Sequence, residues 1–461
     1  MAEQKIPTAL GTENIGKLLM QYAVPAIIAM TASSLYNMVD SIFIGQGVGA
    51  LAISGLALTF PLMNLAAAFG TLVGVGAATL VSVKLGQKDY DTAQRVLGNV
   101  FVLNILLGVA FTIVVMPFLD PILYFFGASD QTIGYARDYM EIILLGNAIS
   151  HLYLGLNAVL RSSGHPKEAM YATIATVVIN TVLDPIFIYG FGWGIRGAAI
   201  ATILAQVIAL VWQLKLFSNK DELLHFHKGI FRLKRKIVFA SLAIGMSPFL
   251  MNLAACFIVI LINQGLKKYG GDLAIGAYGI VNRLVFIVLM IVMGLNQGMQ
   301  PIAGYNFGAR QFDRVTRVLK LTIISATIVT SFGFLVGMLM PHLAVSIFTS
   351  DAELIELSAK GLRITVLFFP LIGFQIVTSN FFQSIGMAGK AIFLSLTRQL
   401  VVLLPCLLIL PRFFGLAGVW YSLPVSDILS VLIAAVMLAH QFRKFKVQAA
   451  AGRPNSGQTA I

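Results

Sequence analysis

Two aspartates stand where charge is hardest to place. From Leu18 to Val83 the only charged residue is Asp40, and from Ala169 to Ile195 the only one is Asp184. A carboxylate at the centre of an apolar membrane helix costs about 2.5–3.5 kcal/mol on insertion scales, so such groups face a cavity or a partner and are functional by default. Their neighbours are placed to help. Tyr36, Asn37 and Asp40 fall on one stripe of a helix, and Asn180 and Asp184 form an i, i+4 pair. Pro185 follows at once and cannot donate to the Thr181 carbonyl, which is left free to accept elsewhere. Ala198, Thr202 and Gln206 line a third face at four-residue steps. Two nearby carboxylates in a low-dielectric bundle cannot both stay ionised cheaply. Such a pair can exchange a proton, or bind Na⁺ with oxygens from Asn180 and Thr202 completing the shell. The competing reading is an ordinary hydrogen-bonded structural pair.

Three further intramembrane charges, Arg283, Arg398 and Asp427, interrupt apolar runs of the second half. They can form a polar network there, either as a structural ion pair or with a substrate role. His151 is read as a helix-packing histidine. Cys256 and Cys406 each sit within an apolar run, which favours buried, reduced thiols over a disulfide or a metal pair.

The elements that carry these residues are membrane spans. The chain of 461 residues is 58% hydrophobic and 11% charged, less than half the charge of an average soluble domain (about 25%). Its apolar runs are long enough to cross a bilayer, which takes about 20 residues. They are apolar all round, unlike the one-sided helices of a soluble core. The first run holds two spans, broken near Gly45–Gly49, and the whole chain reads as twelve. A β-barrel would alternate in short segments, and no such alternation is present.

The net charge of +13 is an orientation signal. Of the 32 lysines and arginines, 23 lie in the termini and in every second loop, starting with the loop at 84–95. That positive-inside distribution predicts a multi-pass protein with both termini in the cytoplasm, and argues against a nucleic-acid partner.

An internal repeat organises the spans. Gly86-Gln-Lys-Asp-Tyr-Asp-Thr-Ala-Gln-Arg95-Val-Leu recurs as Gly308-Ala-Arg-Gln-Phe-Asp-Arg-Val-Thr-Arg317-Val-Leu, about 222 residues later. Leu51-Ala-Ile answers Leu273-Ala-Ile, Ser162-Ser-Gly164 answers Ser384-Ile-Gly386, and Gly194-Ile-Arg-Gly197 answers Gly415-Leu-Ala-Gly418. Six spans per copy make these parallel repeats, entering from the same side of the membrane. The expected division is a six-helix lobe over 1–218, a basic cytoplasmic linker over 219–236 with an amphipathic, membrane-surface stretch, a second six-helix lobe over 237–442, and a cytoplasmic tail over 443–461. The fold class is all-α integral membrane, with twelve transmembrane helices in two pseudo-symmetric six-helix bundles around a central cleft.

No Gly-x-x-x-x-Gly-Lys-Ser/Thr phosphate loop occurs, nor a His-Glu-x-x-His or Cys-x-x-Cys motif. A transporter without its own ATPase draws on an ion gradient, and nothing points to an enzyme or to a cofactor beyond the coupling ion, H⁺ or Na⁺.

Pro25, Tyr36-Asn-Met-Val-Asp40, the Gly74-Val-Gly76 region, Arg161-Ser-Ser-Gly164, Asn180-Thr-Val-Leu-Asp184-Pro185 and the Gly86, Gly308 and Gly194 loops together resemble the multidrug and toxic compound extrusion (MATE) family. The likeness covers about residues 14–445 and is strongest to its DinF-like, MepA-like bacterial branch. It implies export of bulky cationic or amphipathic compounds in exchange for H⁺ or Na⁺, by alternating access, from a bacterial plasma (inner) membrane. The family's first-half acidic site matches Asp40, Asn180, Asp184 and Thr202, with Tyr36 and Tyr139 nearby; with Asn37 and Gln206 of the helical stripes, these tyrosines are the supporting or substrate-pocket candidates. Other branches carry an acid on the seventh span; here Ile237–Leu266 has none, so that site is not carried over. The expected partners are hydrophobic cations and membrane lipids, with the protein acting as a monomer. The nearest rival is a flippase of lipid-linked saccharides on a related fold, which would call for a strongly cationic cleft.

Overall fold

The computed structural model describes residues 7–451, apart from the side chains of Asn37, Met38, Ala50, Asp272 and 449–451. Among the described residues ten helices are long and apolar enough to span a membrane, and counting each of two bent helix pairs as one span brings the number to twelve. In chain order these are α1 (Ile15–Gly47), α2 (Leu51–Gly86), α3 (Tyr90–Phe125), α4 (Ile133–Leu145 with Asn147–Ser162), α5 (Pro166–Gly190) and α6 (Gly194–Phe217). The second half repeats them as α7 (Arg235–Gly271), α8 (Leu273–Gly308), α9 (Phe312–Leu339), α10 (Ala352–Val366 with Phe369–Ser384), α11 (Ala388–Phe414) and α12 (Leu416–Gln448). The chain is a multi-pass membrane protein.

The repeat is written into the backbone as well as the sequence. The left-handed residues Gly49, Lys88, Gly164 and Gly194 are matched by Gly271, Arg310, Gly386 and Gly415, one pair for each of the four repeated motifs. Each marks the place where one span ends and the next begins. Only a residue without Cβ, or one tolerating that strain, makes the reversal. The bends recur too: α4 turns by 56° after Leu145 and α10 by 54° after Val366. α1 runs unbroken through Pro25, so the proline is accommodated within a continuous helix.

The halves meet through glycines. A Cβ on Gly76 would lie 1.8 Å from the Ser241 carbonyl oxygen, and one on Gly245 1.7 Å from that of Leu72. The repeat-related contact sets Gly298 against Ala23, where a Cβ would come within 2.6 Å of its backbone. Lower down, Gly86 faces Tyr305 O and Gly308 faces Val83 O, at 1.9 and 2.1 Å in the same construction. The Gln300 amide donates to Thr79 Oγ1 at 2.8 Å, and the rings of Phe69 and Phe249 stack edge to face at 4.8 Å. The described hydrogen bonds and ring contacts between the halves all lie from mid-span toward the end bearing the Gly86 and Gly308 loops.

The N-terminal turn is tied to the second half at that same end. Asn306, fully buried, donates to Leu10 O at 2.9 Å. Arg314 donates Nη2 to Leu10 O (3.1 Å) and Glu13 O (2.8 Å), and Nε to Asn306 Oδ1 (2.8 Å). Charge-assisted bonds contribute about 1.5–3 kcal/mol each when made in a protein. Arg314→Met is therefore expected to free this strap: amide hydrogen exchange over residues 7–13 should rise at least about tenfold, a factor worth about 1.4 kcal/mol. Unchanged protection would show that the turn is held by Leu10 packing alone.

Residues 218–234 carry no helix, and α7 begins at Arg235, inside the stretch expected to be linker. Part of the expected membrane-surface stretch packs inward instead. Leu223, Leu224 and Ile230 are buried, and the Phe226 and Phe231 rings pack on Phe101 of α3 at 5.6 and 5.4 Å. Gln94 and Asn99 satisfy its carbonyls, donating to Leu223 O (2.6 Å) and Arg232 O (3.2 Å). The first part of the segment is thus packed on the protein, while Phe231 (39%) and Leu233 (42%) keep apolar surface exposed. The tail beyond residue 451 lies outside the described residues. Both cysteines are free, Cys256 exposed and Cys406 half-buried. This differs from the expected burial, since an apolar membrane helix turns part of its surface to lipid rather than to core.

Candidate functional site: a buried carboxylate pair in the first half

Asp184 is 0% exposed and Asp40 5%, and they lie on different helices, α5 and α1. Their carboxyl groups are close enough to interact. Asn180, one turn before Asp184, turns its amide to both sides: its nitrogen donates to Asp184 Oδ2 at 3.0 Å and its oxygen accepts from the Thr202 hydroxyl at 3.2 Å. Thr202 also meets the Tyr36 hydroxyl at 3.0 Å, and Tyr139, buried on α4, lies within reach of the same threonine. Four helices thus converge on one polar cluster, with a fully buried floor. Asn37 shares the α1 stripe, and its side chain lies outside the described residues.

Local chemistry explains the placement. Pro185 ends the regular part of α5, and Ile186–Gly190 continues as a π turn, the widened geometry that follows when a proline breaks the ladder. The interruption sits directly beside Asp184. Asp40 Oδ1 is buried and has no hydrogen-bond partner among the described residues. A buried carboxylate oxygen without a donor is stable only if a proton or cation can be brought to it. Two carboxylates beside the Thr202 and Tyr36 hydroxyls make an oxygen-rich site suited to either H⁺ or a hard cation, while Asn180 turns its nitrogen rather than the expected oxygen to Asp184.

Gln206 stands one turn from Thr202 on α6 and accepts a hydrogen bond from Ser150 of α4, so it joins the cluster's flank rather than the carboxylates. Sequence reasoning missed Ser150, since a lone serine in an apolar span carries no spacing signal. His151 is buried as read: one ring nitrogen meets Ala66 O at 2.8 Å, while Nδ1 has no described partner.

In the second half, Arg398 Nε donates to Asp427 Oδ1 at 3.0 Å, linking α11 to α12 where the first half has α5 and α6. Arg283 is exposed on α8 and is joined to this pair by no hydrogen bond or ion pair among the described residues. The expected triad is thus a pair, because Arg283 turns to the other side of its helix. Asp427 is 4% exposed, and removing one partner of a buried ion pair costs about 3–5 kcal/mol. Arg398→Met should lower unfolding stability in detergent by that order, and adding Asp427→Leu should recover most of it. A single variant as stable as wild type would show that water, not Arg398, neutralises the aspartate.

Comparison with known proteins bears on this arrangement. The family model MatE matches residues 25–186 and again 243–408, once per half and enclosing both carboxylates. This chain belongs to the MatE family. MatE relatives include the multidrug export protein MepA of Staphylococcus haemolyticus (strain JCSC1435), 30% identical over 421 residues, 91% of this chain and 92% of that protein. MepA of Staphylococcus aureus (strain MSSA476) is 30% identical over 427 residues, covering 93% and 94%. Among solved structures, an outward-facing multidrug resistance MATE family transporter of the MOP superfamily superposes with a TM-score of 0.89 at 24% identity, covering 96% of this chain and 99% of that one. A MATE structure in the bent conformation gives a TM-score of 0.91 at 24% identity, covering 97% and 100%. At these identities the superpositions establish the MatE fold, two six-helix bundles around a central cleft.

Proposed function

We propose that this protein is a secondary antiporter that exports bulky hydrophobic cations in exchange for H⁺ or Na⁺. The observation that carries the reading is the buried Asp40–Asp184 pair, drawn from two helices, with one carboxylate oxygen lacking a donor among the described residues. Such a site changes charge when it takes up or loses an ion, and a ligand shifts a conformational equilibrium only by its differential affinity for the two states. The export activity named for the MepA relatives supports the substrate class.

In this reading the Gly86 and Gly308 loops and both termini face the cytoplasm of a bacterial cell, and the protein sits in the inner membrane as a monomer among lipids. The units 1–218 and 237–442, joined by 219–236, rock against each other at the glycine contacts to expose the cleft alternately. The cation enters the cleft from the cytoplasm or inner leaflet. Ion loading of Asp40 and Asp184 from outside drives its release, and the ion then leaves inward. Neither nucleic acid nor ATP takes part.

One charge crossing 100 mV is worth about 2.3 kcal/mol. Exchange of a monocation for one H⁺ cancels that contribution, leaving the pH gradient alone as driving force. The test uses the full chain in proteoliposomes, with ethidium export followed under an imposed pH gradient and, separately, a Na⁺ gradient. Export accelerated by one of the two assigns the ion. Export that ignores both, or ethidium movement without counter-flow of an ion, would overturn the antiport reading.

A further inference from the structure

Polar groups continue past the carboxylate site, down the interior of the first half. On α6, Thr202, Gln206 and Gln213 fall within about 40° of one another at 100° per residue, and small Ala209 occupies the turn between the glutamines. On the second segment of α4, Ser150, Asn157 and Arg161 share a face in the same way. The Ser150–Gln206 hydrogen bond ties the two stripes together at their upper end. Toward the cytoplasm, Asn157 donates to Ala169 O at 2.9 Å and accepts from Arg161 at 3.1 Å.

Gln213 is the informative residue. It is 0% exposed, yet neither its amide nitrogen nor its amide oxygen has a hydrogen-bond partner among the described residues. Leaving a buried polar group unmet costs about 1–3 kcal/mol, and folded proteins meet such groups with protein atoms or with buried water. Within a turn of Gln213 the chain enters a cavity of about 580 Å³, walled by Trp212, Lys215, Leu160, Ser163, His165 and Glu168. Glu168 is half-buried there, and His165 pairs with Glu222 at 3.4 Å.

We propose that the coupling ion leaves the carboxylate site through a hydrated seam between α4 and α6, passing Thr202, Gln206 and Gln213 into this cytoplasmic cavity. The inference rests on the antiport reading and adds to it the inward route. Thr202 and Gln213 are about 16 Å apart along the helix axis, and Gln206 and Gln213 about 10 Å, at 1.5 Å per residue. In this proposal two or three waters span the shorter gap, past the turn where buried Ala209 presents only a methyl group. Gln213 offers a donor and an acceptor, so it can orient water on either side without holding the ion itself. The fixed charge of Arg161 lowers cation occupancy at the inner end, so that end releases the ion into the cavity beside Glu168. Gln213 is a positioning residue, acting on water rather than on the cation substrate.

The test is the full chain in proteoliposomes with ethidium as probe. Gln213→Leu should slow gradient-driven ethidium export at least about tenfold, while ethidium–ethidium counterflow, which moves no coupling ion, stays within about twofold of wild type. Gln213→Glu should restore at least about half of the driven rate, and Ala209→Leu should reproduce the block by filling the gap. Driven export at the wild-type rate in Gln213→Leu would overturn the route. So would a parallel fall in counterflow, which marks a packing defect. If the wild-type protein itself answers to neither gradient, it is the antiport reading that fails, a result visible before any variant is made.

Discussion

Asp40→Asn is expected to abolish gradient-driven export, lowering the initial rate of ethidium efflux at least about 100-fold, equivalent to about 2.7 kcal/mol of lost coupling. Asparagine matches aspartate in shape but carries no charge and takes up no proton. The pair of carboxylates then becomes one, and ion arrival no longer relieves a repulsion between two buried charges. Without a difference in ion affinity between the two conformations, the gradient has nothing to act on. Asp184→Asn should give the same direction of effect, although it keeps its place beside Asn180, 3.0 Å from the amide nitrogen. Asp40→Glu, which restores the charge, should recover part of the rate. Stability separates function from folding. A neutral amide is cheaper to bury than a carboxylate, so the unfolding temperature of Asp40→Asn should equal or exceed that of wild type. Full driven efflux in both asparagine variants would show that Asp40 and Asp184 are structural.

The second large effect is expected from Gly245→Val, far from any charge. A Cβ at that position would sit 1.7 Å from the Leu72 carbonyl oxygen, and the obstacle is backbone, which no rotamer change removes. Overpacking of this kind costs about 1–3 kcal/mol, occasionally more, all of it charged to the state in which α2 and α7 touch. The population closed at the Gly86 and Gly308 end should fall about tenfold or more. Spin labels at Gln87 and Gln311, both exposed on the paired loops, should report a distance distribution moved to longer values. Gly298→Val at the repeat-related contact with Ala23 should act in the same direction but less, since the approach there is looser. A distance distribution identical to wild type in Gly245→Val would mean that the two halves are not held together at this crossing.

The two predictions probe different devices, and the repeat explains why they are separable. Gene-level duplication left paired turns, paired bends and paired glycine crossings, which serve the mechanics of two bundles. It did not leave paired chemistry. The first half buries two carboxylates on α1 and α5, whereas the second pairs its buried Asp427 with a partly exposed Arg398 between α11 and α12. An ion pair that already satisfies its own charge has little reason to bind a further ion.

Much of this was legible in the residues themselves. Length of the apolar runs determines the spans, because a bilayer admits only segments whose backbone is satisfied internally. The 222-residue offset determines the pairing of the halves. Asp40 and Asp184 announce themselves because charge in a membrane helix is too costly to be idle. Asn180 and Thr202 followed from helical spacing. What the sequence could not show depends on packing between helices distant along the chain. That Asp40 meets Asp184, and that one of its oxygens lacks a donor among the described residues, follows from how α1 lies against α5. Arg283 looked equal to Arg398 in sequence, and only the rotation of α8 separates it from Asp427. The linker's basic composition suggested a membrane surface, and only the tertiary structure shows its Phe226 and Phe231 rings against α3. Gln213 carries no sequence signal at all, since a single glutamine near a span end is ordinary; only its complete burial without a partner among the described residues makes it significant. Local spacing tells which residues share a face, and hydropathy tells which faces avoid water. Which faces meet is decided by the tertiary structure, through contacts that no single helix contains.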